Sequence, residues 1–96
     1  LLQACIKVEK ASYIGPSGVC EVLLRNDSDA EFVLFNTGEY TLHEHAGLVV
    51  LNPNGTTKIQ VKTKEQLPVF DLRFDVLNCV TAPGRNAEVQ LSVKGM

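Results

Sequence analysis

Phe70-Asp71-Leu72-Arg73-Phe74-Asp75-Val76 alternates strictly, with apolar side chains at the even positions and charged ones at the odd. A period of two puts Phe70, Leu72, Phe74 and Val76 on one face of a strand, so the stretch predicts a half-buried β-strand and not a helix. The same pattern closes the chain, where Ala87, Val89, Leu91 and Val93 interleave with Glu88, Gln90, Ser92 and Lys94. Between the two, Ala82-Pro83-Gly84-Arg85-Asn86 reads as the connection.

Working back from Phe70, Thr57, Ile59, Val61 and Thr63 face inward while Lys58, Gln60 and Lys62 face out. Asn52-Pro53-Asn54-Gly55 is the strongest turn signal, with an Asn-Gly pair suited to left-handed dihedrals. Leu48 to Leu51 reads as a short buried strand, and Tyr40 to His45 as a short irregular or edge strand after the turn Asn36-Thr37-Gly38-Glu39. Phe32-Val33-Leu34-Phe35 is a strand apolar on both faces. Asn26-Asp27-Ser28-Asp29 is a turn, since such side chains bond their own backbone. Cys20, Val22 and Leu24 share a face, the turn Gly15-Pro16-Ser17-Gly18 precedes them, and Ala4, Ile6 and Val8 begin the pattern.

About seven short strands with turns every eight to twelve residues predict an all-β fold: an antiparallel β-sandwich, Greek key, of immunoglobulin or fibronectin type III kind. Residues 1–96 make one domain, and the opening Leu1-Leu2-Gln3, without a methionine, reads as a segment of a longer protein. The expected core is Ile6, Val22, Leu24, Phe32, Leu34, Ile59, Val61, Leu72, Phe74, Val76, Val89 and Leu91.

Val22-Leu23-Leu24-Arg25-Asn26-Asp27-Ser28, a strand ending in Asn and a small polar turn, resembles the second strand of bacterial Ig-like accessory domains. Leu51-Asn52-Pro53-Asn54-Gly55-Thr56-Thr57-Lys58-Ile59-Gln60-Val61 resembles their Leu-x-Pro-Gly-x-Thr turn and following strand. The likeness covers about a third of the chain. It implies a non-catalytic module beside other domains of an exported, extracellular, periplasmic or cell-surface protein. The chain departs from antibody-type domains in having no Trp, and no Tyr two residues before Cys79.

Composition removes several function classes. A formal charge of −2, with nine scattered basic residues, leaves no basic block to displace counterions from a nucleic acid. No apolar run approaches the roughly 18–20 residues of a membrane span. No nucleophile elbow, HExxH or phosphate-cradling glycine loop appears, so no catalytic residue and no cofactor is assigned.

Four candidate sites remain. His43 and His45 point the same way in a strand and could share a metal ion, but two imidazoles do not complete a site, and a polar edge strand explains them. Cys20 and Cys79 stand at an immunoglobulin-like separation. Parity opposes a disulfide, because Cys20 goes with the core and Cys79 with the outward Asp71, Arg73 and Asp75. Those three charges read as a solvent face held by cross-strand salt bridges. Leu23, Val33 and Phe35 lie on faces left over by the core parity. They predict either a docking strip, for a neighbouring domain or for self-association, or a surface covered by loop 37–47. The second functional reading is a carbohydrate- or other ligand-binding module, for which only Tyr40 occupies a plausible platform loop. A metal-dependent enzyme fragment using His43 and His45 is the third.

Overall fold

The structure, a computed structural model, describes residues 5–16, 18–43, 46–78 and 82–95. Eight strands follow one another: β1 (Ile6–Ile14), β2 (Val19–Asn26), β3 (Phe32–Asn36), β4 (Thr41–His43), β5 (Leu48–Leu51), β6 (Thr56–Lys62), β7 (Val69–Asn78) and β8 (Ala82–Lys94). They form two four-stranded antiparallel sheets, in the orders β1-β2-β6-β4 and β5-β3-β7-β8. The count exceeds the expected seven because the irregular segment at Tyr40–His45 yields a genuine three-residue strand, which pairs Leu42 with Val61.

The inward residues of both sheets fill one core. All twelve side chains expected there are buried, and Cys20, Leu42, Val49, Leu51, Phe70 and Val93 join them. β1 obtains its burial in two phases. Val8 pairs with Leu24 but Lys10 with Leu23, so Glu9 is an extra residue that flips the alternation. Ile6 and Val8 point inward before this bulge, and Ala11 and Tyr13 pack on the core after it.

Two turns carry the backbone conformations that their residues suit. Asn54 adopts φ 54° in the β5–β6 turn, which a Gly55 N–H donation to Asn52 O at 3.2 Å closes. Gly18 has φ 75°, and a side chain there would meet the Thr63 carbonyl at 2.5 Å. Its own carbonyl accepts from the backbone N–H (2.8 Å) and hydroxyl (3.0 Å) of Thr63, tying the β1–β2 turn to the end of β6.

One connection differs from the sequence reading. Residues 82–86 belong to β8, which pairs back to β7 as far as Asn78–Ala82. Pro83 suggests a loop, yet β8 is the last strand of its sheet, and an edge tolerates a missing N–H.

Candidate functional site

The outer face of the β5-β3-β7-β8 sheet is divided. Toward β8 it is polar, with Asp71 accepting from Gln90 Nε2 at 2.9 Å. Where a cross-strand salt bridge is expected at Asp71, its partner across the strands is an amide. Among the described residues the ion pairs lie on the other sheet or its flanks, where Asp27 meets Lys7 and Arg25, and Glu21 meets Lys58. Beside Arg25, and then Lys7, the Asp27 carboxyl is held below its usual range.

Toward β5 the same face is apolar. Cross-strand register sets Val33 beside Val50 and Leu77, and Phe35 beside Leu48. Phe35, Leu48 and Val50 are exposed, at 40%, 41% and 43%, while Val33 and Leu77 are half-buried. Residues 37–43 do not cover this patch. Thr37 N donates to Arg73 O at 3.0 Å and the chain then crosses to the other sheet as β4.

Leu23 is not part of it. It lies on β2 in the opposite sheet, half-buried in a groove with Lys10, Ser12, Glu21 and Lys58. The sandwich thickness, about 10 Å between sheets, separates it from Val33 and Phe35. The expected three-residue strip is therefore two residues, extended by Leu48, Val50 and Leu77. Leu48 and Val50 escaped the sequence reading because all four residues of β5 are apolar, so the alternation of two exposed with two buried leaves no trace in the composition.

A second concave feature lies where β3 ends and β7 continues. A half-open cleft of about 470 Å³ is lined by Thr37, Gly38, Glu39, Tyr40, Phe70, Asp71 and Arg73. The Tyr40 ring meets Phe70 edge-on at 5.3 Å, which fixes it in the cleft wall. Partial burial pushes the Tyr40 phenol up, and the charges of Glu39 and Asp71 push it further.

The remaining candidates are placed as follows. His43 is half-buried on β4 opposite Gln60; His45 and Glu44 lie outside the described residues. Among the described residues no three His, Cys, Asp or Glu side chains gather at a metal-binding spacing. Cys20 is a fully buried free thiol whose pKa is raised by burial. Cys79 lies outside the described residues. No described helix is long and apolar enough to cross a membrane.

Two antiparallel sheets packed face to face, with connections passing repeatedly between them, define an immunoglobulin-like sandwich. The chain belongs to a family of Ig-like domains, whose sequence profile matches residues 6–92. Among solved structures it is similar to WR4, a C. elegans MSP family member. That match has a TM-score of 0.54 and 12% identity, and covers 91% of this chain and 95% of that one. No curated protein matches the chain.

Proposed function

We propose that the chain is a non-catalytic interaction module of a larger exported bacterial protein, and that it docks through the apolar half of the β5-β3-β7 face. The observation that carries this reading is the run of Phe35, Leu48 and Val50, three large apolar side chains exposed together on neighbouring strands. Between this run and the exposed Val69 at the start of β7, the face carries Asp71, Arg73 and Asp75, with the Gln90 amide on Asp71. Grouped apolar side chains of this kind mark contact sites. Bacterial origin and export enter with the resemblance of the Asn26 and Pro53 turns to accessory domains of exported proteins, and the extracellular, periplasmic or cell-surface location follows from it.

Hydrogen exchange tests the reading. Amides of residues 32–36 and 48–51 should exchange more slowly in the full-length gene product than in the isolated chain at low concentration. Equal rates in both would overturn it.

A second reading, a ligand-binding module, is favoured by the Tyr40 cleft. A fixed aromatic wall beside two carboxylates, a guanidinium and the Thr37 hydroxyl offers the mixture that binds a polyhydroxylated ring such as a sugar. Saturation-transfer contacts to Tyr40, lost in Arg73→Ala, would support it.

A further inference from the structure

We infer that β5 pairs antiparallel with β5 of a second copy of this chain, around a two-fold axis at Val49. The inference rests on the docking reading above and names the partner for its outermost strand.

The two sheets end in β1, β4, β5 and β8. A sheet edge offers unpaired N–H and C=O groups to any passing strand, and natural proteins blunt it with charge, proline, bulges or brevity. β1 has exposed Lys7, Glu9 and Lys10 and the bulge at Glu9. β8 has exposed Glu88, Gln90, Ser92 and Lys94, and it contains Pro83. β4 is three residues long, and polar Thr41 and His43 flank its one apolar side chain. β5 is Leu48-Val49-Val50-Leu51, with no charge, no polar side chain and no proline. Besides its brevity, its open edge has only the long Thr57 hydroxyl contact to Val50 O as a guard among the described residues.

The backbone of β5 is set for self-pairing. Asn36 N donates to Gly47 O at 2.8 Å, so residue 47 turns its polar groups toward β3. Strand alternation then aims those of Val49 and Leu51 at β3 and those of Leu48 and Val50 at the open side. On that side the Thr57 hydroxyl reaches Val50 O at a long 3.4 Å, and the carbonyl keeps a second lone pair. A two-fold axis at Val49 sets Leu48 opposite Val50 of the partner subunit, and Val50 opposite Leu48 of the partner subunit. Both of these residues present N–H and C=O to the open edge, so each pair exchanges two hydrogen bonds.

The same register keeps both outer faces on one side of the joined sheet. Leu48 and Val50 become cross-strand neighbours there, a favourable apolar pairing. Moving the register by one residue would put exposed side chains opposite core-facing ones. A charged strand would set its charges against Leu48 and Val50, whereas β5 meets itself without mismatch.

Four residues and their flanks fall well short of the roughly 800 Å² per partner of a standard stable interface, so the dimer is weak. Sedimentation equilibrium on the chain from about 10 µM to about 1 mM, the range in which such pairs form, should show a rising dimer fraction. Val50→Lys and Leu48→Lys each put a charge on the edge without touching the core, and each should hold the chain monomeric with an unchanged circular dichroism spectrum. Using both guards against one of them failing to fold. A wild-type chain that stays monomeric at about 1 mM overturns the inference, and the exchange experiment above then judges the docking reading separately. A dimer that survives both lysines overturns it as well, because the contact would lie elsewhere.

Discussion

Asn26 Nδ2 donates to the carbonyl oxygen of Ala30 at 2.7 Å, from a side chain with no solvent exposure. The same amide reaches Asn52 O at 3.1 Å, and its Oδ1 accepts from Ser28 Oγ at 2.7 Å. One buried side chain thus ties the β2–β3 turn to the end of β5. Asn54 N, donating to Ser28 O at 2.9 Å, fastens the two turns a second time.

Asn26→Ala removes the buried amide donor from Ala30 O and Asn52 O and the acceptor from Ser28 Oγ, and Asn52 O keeps only the Gly55 N–H. Leaving buried polar groups unpaired costs about 1–3 kcal/mol per group, so we expect a loss of about 2–4 kcal/mol in urea unfolding. Asn26→Asp should be as harmful, because a carboxylate cannot donate to Ala30. A loss under about 0.5 kcal/mol, the level of a surface change, would mean that water replaces the amide.

Phe35 and Phe74 differ in exposure, 40% against none, though they sit on adjacent strands. Phe74→Ala should cost about 3–5 kcal/mol, as core truncations do. Phe35→Ser should cost about 1 kcal/mol, most of it contact with Val33 and Leu48. Urea denaturation of the isolated chain at low concentration measures both. A Phe35→Ser cost equal to that of Phe74→Ala would make the side chain part of the core and remove the docking face.

The core was legible because period two marks it directly. Leu72, Phe74, Val89 and Leu91 each lie between polar neighbours, and only one face could be dry. Legibility failed where both faces are apolar. Leu48 and Val50 look like Val49 and Leu51 in sequence and differ only in which side of the sheet they occupy. Leu23 is a different case: parity gives a face but not a sheet, so it matches Val33 in sequence while lying across the whole thickness of the sandwich from it. In sequence Asn26 reads as a turn former, and its local bond to Ser28 agrees. Its burial depends on Asn52, a partner 26 residues away, and no local pattern reports that.

Zinc tests the His43 reading. His43 is half-buried opposite Gln60, and among the described residues it belongs to no group of three His, Cys, Asp or Glu side chains that could hold a metal ion. A metal bound only by the native state raises Tm by mass action, so zinc at modest excess should leave Tm unchanged. A clear rise that His43→Ala abolishes would establish a site completed by residues beyond those described.

Cys20 gives the stability a definite slope at alkaline pH. Its side chain is fully buried, and burial raises the thiol above its ordinary pKa, with a backbone hydrogen bond from Ser12 opposing in part. The native state therefore keeps the Cys20 proton at pH values where the unfolded chain releases it. Stability falls with rising pH wherever the native state binds more protons than the unfolded one. This contribution is fully present below the unfolded thiol's pKa and is lost as pH climbs toward the native value. Urea midpoints should thus fall through the range just above the ordinary thiol pKa. Cys20→Ala will be less stable near neutrality, because it removes a buried side chain, but its decline over that range should be shallower than the wild type's. Other groups titrate there too, and their share is common to both proteins. The difference between the two slopes therefore isolates Cys20. Parallel slopes would show that the thiolate is accommodated in the folded state, by movement of β2 or by entry of water beside Val61.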